Sequence, residues 1–474
     1  MEEDTLVTRH FHLLAKSTLR AGQIRFYHRL TISDDQIAVP FEKPFTVLYF
    51  QDSGLIGSAL PEKPTLEQVI SEKCISKVRA MAAIRSAQVV RCPPRWLLLR
   101  VETSDGEVGW GEAIGDLHEE VEAALQAACE KIIGREVGQI ERLRQELLYG
   151  RFWRDGPVLN TVAAAVEMAL WDLHGKSLGA PVHELLGGAV RDRVLVYRNL
   201  WGGNPEEFAS SAKAAVAEGL TAMKVSPAGP TAGVVSDSDL APMVEVMSAV
   251  RSAVGTEVKV AVDLHGRCSP SAARRAIALL APHDPWFVEE PMLPGSAEAM
   301  VEFRELKVSQ PIAIATGERL LNRRSALDHL FPTPAVDILQ PDVSLLGIRD
   351  TFAVGLAAEA AQVHLAPHCP YGPIQSAASL QIAAACPSHI AQEVQSLGGA
   401  GLPGGVAGGG WSWSFELLKR PFEVVDGYVE VRSGSANAGL GITVCEERIA
   451  EFAEQWNPHP PSMWATPDGA RAEW

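Results

Sequence analysis

Three acids stand at the ends of three short apolar runs. Asp263 closes EVKVAVD, Glu289 closes WFVE, and Glu318 follows IAIATG. They recur at intervals of 26 and 29 residues, and helix-like sequence (PSAARRAIALLAP, then GSAEAMVEFRELK) fills each interval. A strand, a helix and the next strand at that repeat are the signature of parallel βα units. When such units close into a (β/α)₈ barrel, the ends of the strands share one mouth. The three carboxylates are therefore expected to converge there. Like charges that close repel unless a cation lies between them. An all-oxygen set favours Mg²⁺, or Mn²⁺, over zinc, so one divalent ion per site is expected on Asp263, Glu289 and Glu318.

Four further residues can do chemistry beside that ion. His265 is two residues from Asp263, and side chains two apart on a strand point the same way. His368, in LAPHCPYGPI, follows the seventh candidate strand, across the barrel from the third. Asp342, in LQPD, ends the sixth, where a carboxylate can hold the His368 imidazole in one tautomer and raise its basicity. Glu393 ends the eighth, where a protonated acid could hydrogen-bond a developing oxyanion. Glu290 is expected to face away from the mouth, and His364 to be packed. The set suits one task. The α-proton of a carboxylate is weakly acidic, and a chelating divalent ion stabilises the enediolate left by its removal. One histidine takes the proton and the other protonates a β-hydroxyl as it leaves, so that water is eliminated.

The elements that must position these residues can be followed along the chain. IRSAQVV and RWLLLRVETSDGEVGWGEAI read as a strand meander with a hairpin at SDGE. HEEVEAALQAACEKIIG, IERLRQELLYG and NTVAAAVEMALWDLHGKSLG read as helices. The last is expected to be capped by Asn160 or Thr161 and stopped at Gly179 or the following Pro181. VLVYRNL, TAMKVSP, EVKVAVDLH, WFVEE, IAIATGE, AVDILQPD, VHLAPHCP and HIAQEV are then eight successive barrel strands. The glycine-rich stretch 398–410 neither follows a strand nor opens a helix, so it is read as a connection rather than a phosphate cradle. FEVVDGYVEV is a D-G hairpin expected to return to the meander. Residues 1–75 carry no catalytic pattern; HFHLL, FTVLYF and a segment near Val39–Pro44 suggest short strands, and Thr65–Lys73 a helix.

Composition excludes several classes of partner. The chain has 474 residues and a net charge of −16. No Lys/Arg-rich run appears, which argues against nucleic acid and anionic membranes. Neither a signal peptide nor a membrane span is read. Seven scattered cysteines without a CxxC suggest reduced thiols and a cytoplasmic protein.

From about Ser76 to Trp474 the sequence resembles the enolase superfamily, in its mandelate racemase branch, and within it the galactonate dehydratases. PPRWLLLRVET, GEVGWGEA, GRFWRDGPV, ALWDLHGK, PVHELLGG, DLHG, VEEP, GERL, LQPD, APHCPYGPI and the tail MWATPDGARAEW carry the resemblance. It implies an α+β capping domain over 76–190, completed by about 420–474, and a modified (β/α)₇β TIM-type barrel over 191–419, with 1–75 an extension of unknown role. It implies Mg²⁺ on the three acids, His368 as base tuned by Asp342, His265 as acid, and Glu393 stabilising the enediolate. It also implies a hydro-lyase converting D-galactonate to 2-dehydro-3-deoxy-D-galactonate, a small sugar acid as partner, and a homo-oligomer. Racemases of the branch carry Lys-x-Lys on the second strand; here the pattern is Lys224-Val225-Ser226, which weighs against racemisation. The alternatives are dehydration of another aldonate (gluconate or an L-sugar acid), a racemase, and a non-catalytic barrel that binds.

Overall fold

The computed structural model describes residues 82–452 except 94–95, 228, 230–233, 306–311 and 395–416, together with 12–20, 23–32, 35–36, 464–465 and 469–471. The segments Val39–Pro44, FTVLYF and Thr65–Lys73 and the glycine-rich stretch 398–410 lie outside the described residues. The chain divides into two compact units, Met1–Val78 and Arg79–Trp474. The first holds an antiparallel sheet of β1 (His12–Arg20), β2 (Gln23–Ile32) and β3 (Asp35–Gln36). No helix among the described residues is long and apolar enough to cross a membrane.

The second unit opens with an antiparallel meander of β4 (Ile84–Cys92), β5 (Trp96–Thr103) and β6 (Val108–Ala113). The helices His118–Ile132, Ile140–Leu148 and Pro157–Leu178 follow. The longest packs closely on β6: a Cβ at Gly111 would fall 1.9 Å from the Ala165 carbonyl oxygen. It begins a turn earlier than expected, with Gly156 at the N-cap and Pro157 in the first turn, where a missing N–H is no loss. Thr161, instead of capping, accepts a hydrogen bond from Ile114 N–H at 2.9 Å and fastens the helix to the end of β6. Gly179 ends the helix in the left-handed conformation (φ 66°).

The barrel consists of β7 (Arg193–Leu200), β8 (Ala222–Val225), β9 (Lys259–Asp263), β10 (Val288–Glu289), β11 (Ile314–Thr316), β12 (Ile338–Leu339), β13 (His364–Leu365) and β14 (Gln392–Glu393). From β7 to β13 each strand pairs with the next in parallel. The ring closes because Leu365 bridges His389 and β14 pairs with β7. Each strand or its immediate flank places one residue in a cluster of its own: Tyr197, Ala222, Ala261, Phe287, Ala315, Ile338, Ala366 and Ala391. Two aromatic rings among small residues fill the centre as a layer of side chains, so the barrel is a core and not a pore. An α+β unit is thus followed by a modified TIM-type barrel.

The C-terminal hairpin, β15 (Val424–Val425) and β16 (Tyr428–Glu430), pairs antiparallel with β7 and not with the meander. The reason is an open edge. Residues Arg193–Leu195 precede the part of β7 that pairs with β8 and β14, and β16 takes their free backbone groups. The chain beyond still reaches the meander, where Arg100 Nε lies 3.1 Å from Glu446.

Candidate active site

Parallel register brings the three acids together. Asp263 on β9 pairs directly with Glu289 on β10, and Glu318 follows β11 by two residues. One oxygen from each carboxylate lies within 4.8 Å of the others. Asp263 and Glu289 are buried. Oε2 of Glu318 is buried without a hydrogen bond, and Oδ2 of Asp263 faces only the Lys224 ammonium at 3.1 Å and the His265 ring at 3.4 Å. Buried carboxylate oxygens are ordinarily satisfied. An all-oxygen cluster with such atoms turned inward fits a hard divalent cation.

Lys224 on β8 puts a fully buried positive charge into this crowd, and Arg319 Nε lies 3.6 Å from Glu318 Oε1. The Lys224 ammonium lies 3.1 Å from Asp263 Oδ2, 3.1 Å from Glu393 Oε1, and hydrogen-bonds Glu289 Oε1. Burial pulls its pKa down, and the three carboxylates more than reverse that, so it stays charged. Burial opposes ionisation of Asp263, yet His265 and Lys224 hold it down at about 2. Glu289 is pushed well above the usual range by burial, against the pull of Lys224. Its Oε2 accepts a hydrogen bond from Gln340 Nε2 at 2.7 Å.

Two imidazoles reach the triad from different sides. His265 Nε2 is 3.4 Å from Asp263 Oδ2, and His368 Nε2 is 3.4 Å from Glu318 Oε2. Strand alternation is not what aims His265. The strand ends at Asp263, and His265 takes a positive φ of 51°, with its N–H donating to Asp263 Oδ1 at 2.8 Å. Burial lowers the His265 pKa. His368 Nδ1 lies 2.8 Å from Asp342 Oδ2. Burial works against its protonation, but Glu318, Asp342 and Glu393 outweigh it and raise the pKa to about 10.

Three expectations need correction. Glu393 is held toward its ionised form rather than the protonated one expected: Lys224 lies at 3.1 Å, Cys369 N–H donates to Oε2 at 2.9 Å, and these with His368 lower its pKa against burial. Glu290 does not face outward. A positive φ of 43° breaks the alternation, and its buried carboxyl accepts from the Thr316 hydroxyl and Gly317 N–H (3.0 Å), just before Glu318. His364 is exposed, because it begins β13 at the end remote from His368. Sequence reasoning gave Lys224 no place among these acids and missed Gln340. For Lys224 the signal was available: a lysine in an otherwise apolar strand, AMKV, is buried only when paired.

Residues 207–448 match the family model described as enolase C-terminal domain-like. Residues 69–187 match that of the mandelate racemase / muconate lactonizing enzyme N-terminal domain. The chain belongs to the enolase superfamily, in its mandelate racemase/muconate lactonizing enzyme family. Among curated members of that family, it is 34% identical to the D-galactonate dehydratase of Pectobacterium atrosepticum over 391 residues, covering 81% of this chain and 98% of that protein. It is equally similar to the D-galactonate dehydratase of Klebsiella pneumoniae. Among solved superfamily structures, an enolase from Agrobacterium radiobacter with bound sodium and L-malate aligns with a TM-score of 0.73 and 27% identity, covering 82% of this chain and 99% of that one. A member from Sulfitobacter sp aligns with a TM-score of 0.70 and 27% identity, covering 83% and 100%.

Proposed function

We propose that this enolase-superfamily member is a Mg²⁺-dependent aldonic acid dehydratase, converting D-galactonate to 2-dehydro-3-deoxy-D-galactonate and water. The observation that carries the reading is the pair of imidazoles, one at Asp263 and one at Glu318, on either side of a carboxylate triad. The names of the two similar dehydratases choose the sugar acid. Asp263, Glu289 and Glu318 would hold the ion, which when bound supplies positive charge against the negative charge growing on the substrate carboxylate.

His368 is the base. Asp342 takes the Nδ1 side of its ring, so Nε2, which faces the triad, is the nitrogen that accepts the C2 proton. His265 delivers a proton to the C3 hydroxyl as the C3–O bond breaks, and the enol formed tautomerises to the 2-keto acid. Lys224 brings a fixed ammonium beside the same oxygens, and Glu393 holds that ammonium in place. The test is a panel of aldonic acids with Mg²⁺, assayed for 2-keto-3-deoxy products. D-Galactonate is expected to react, and His368→Asn to be inert while still folded. No product from any aldonate with metal-loaded protein overturns the reading. In His265→Asn, exchange of the C2 proton with solvent should continue without dehydration; the opposite result exchanges the two roles.

A further inference from the structure

The loop after His368 is tied down mainly by residues outside it. Cys369 N–H donates to Glu393, and Tyr371 N–H donates to Gln375 Oε1 at 2.9 Å. Gly372 N–H donates to Oε1 of Glu112, a buried acid on β6 of the capping sheet. The other oxygen of Glu112 accepts from Ile374 N–H (3.1 Å) and Gln375 N–H (2.9 Å). Glu112 therefore caps the helix Pro373–Ala385, whose own N-cap residue, Gly372, has no side chain to do so. The approach needs a glycine, since a Cβ at Gly372 would sit 2.5 Å from Glu112 Oε1.

The side chain of Gln375 leads back to the site. Its Nε2 donates to Asp342 Oδ1 at 2.8 Å, and Ser344 N–H donates to the same oxygen at 2.6 Å. That leaves Oδ2 of Asp342 for His368 Nδ1 at 2.8 Å. A carboxylate turns easily about its last torsion, which has broad wells. Two donors on one oxygen stop that turn and aim the other oxygen at the imidazole. Gln375 and Glu112 are both buried, so water does not readily replace either.

We propose that Gln375 is a positioning residue for His368 and that Glu112 sets Gln375, so that the capping sheet fixes the seat of the imidazole. The proposal rests on the reading of His368 as base. Its test is Gln375→Leu in the metal-loaded full chain, read three ways. The kcat should fall about 10- to 100-fold, the scale for a partner behind a reacting group, with KM changed less than about threefold. The metal-induced rise in melting temperature should stay as in the parent. The proton between His368 Nδ1 and Asp342, expected downfield in the parent's proton NMR spectrum, should move upfield or vanish. Parent values of both kcat and that resonance overturn the proposal, as does a change confined to KM.

A one-atom change, Glu112→Gln, guards against a misfolded leucine variant. It should act in the same direction, about 3- to 10-fold on kcat. If it lowers the melting temperature but leaves the kcat and the resonance of the folded enzyme unchanged, Glu112 is a helix cap alone and the link to the capping sheet falls. The resonance is read without substrate. A wrong substrate therefore shows as an inactive parent, and a wrong relay as an active parent whose variants match it.

Discussion

The two sides of the barrel mouth are built on opposite principles. On the side of β9 to β11, three carboxylates crowd together, and Oε2 of Glu318 is buried without a hydrogen bond. On the side of β12 and β13, the oxygens of Asp342 are occupied: Oδ1 by Ser344 and Gln375, and Oδ2 by His368. The first side is crowded with like charge that Lys224 only partly offsets, and a divalent cation would complete it. The second is already complete and holds its imidazole in a single pose. Ligand removal should therefore loosen the first side, and loss of a partner the second.

Glu318→Gln separates them most sharply. Turnover should fall by at least about 10³-fold, because a neutral amide is a poor ligand for a hard cation. The same change should alter the metal-free melting temperature little, since the like-charge repulsion it relieves offsets the lost pairing with His368 and Arg319. Mg²⁺ at about 100 times its Kd should stabilise the parent by about 2.7 kcal/mol and the variant hardly at all. A metal-free variant that is clearly less stable than the parent would show that pairing with His368 and Arg319 outweighs the repulsion at Glu318, so that the protein alone satisfies it.

Lys224→Met probes the buried ammonium on the first side. Removing a buried partner leaves Asp263, Glu289 and Glu393 uncompensated, so the metal-free protein should lose about 3–5 kcal/mol in urea unfolding. Part of that loss should return with Mg²⁺. Equal destabilisation with and without the ion would mean that Lys224 serves Glu393 alone.

The barrel and the three acids were legible because their signal is local and periodic: an apolar run, an acid, a helix, repeated. What escaped depends on backbone conformation or on distant pairing. Glu290 and His265 both take positive φ, and no alternation rule foresees that. The hairpin at Tyr428 chose β7 because of an open edge that exists only once the barrel has closed. Glu112 and Gln375 meet across 263 residues, and neither stands in a pattern that marks it as a partner for the other. Lys224 was visible as a motif, but its position among three carboxylates required the register of β8 against β9.

Asp342→Asn should act on the second side alone. The kcat should fall about 10²-fold or more, as the imidazole loses its anionic partner. Stability should fall by about 1–3 kcal/mol, because an amide cannot satisfy Ser344 N–H, Gln375 Nε2 and His368 Nδ1 equally. The metal-induced rise in melting temperature should persist. Its loss would join the two sides into one unit.

The smallest effect is on the pH dependence of the metal-free protein, and here the two sides should part in sign. His368 has its folded pKa raised to about 10 by Glu318, Asp342 and Glu393 acting against burial. A histidine raised above its unfolded value of about 6.5 adds stability that is full below that value and lost as pH rises through the folded one. Asp263 is the reverse: held at about 2 against burial by His265 and Lys224, it adds stability that is present above about 3.8 and lost as pH falls. Melting temperatures in chelator should decline from neutral pH toward about 10, and that alkaline limb should flatten in Asp342→Asn. The acid limb should flatten in Lys224→Met and leave the alkaline one in place. An alkaline limb that is the same in Asp342→Asn as in the parent would mean that Asp342 does not hold the proton on His368, and the second side would lose its claim to be complete without the ion.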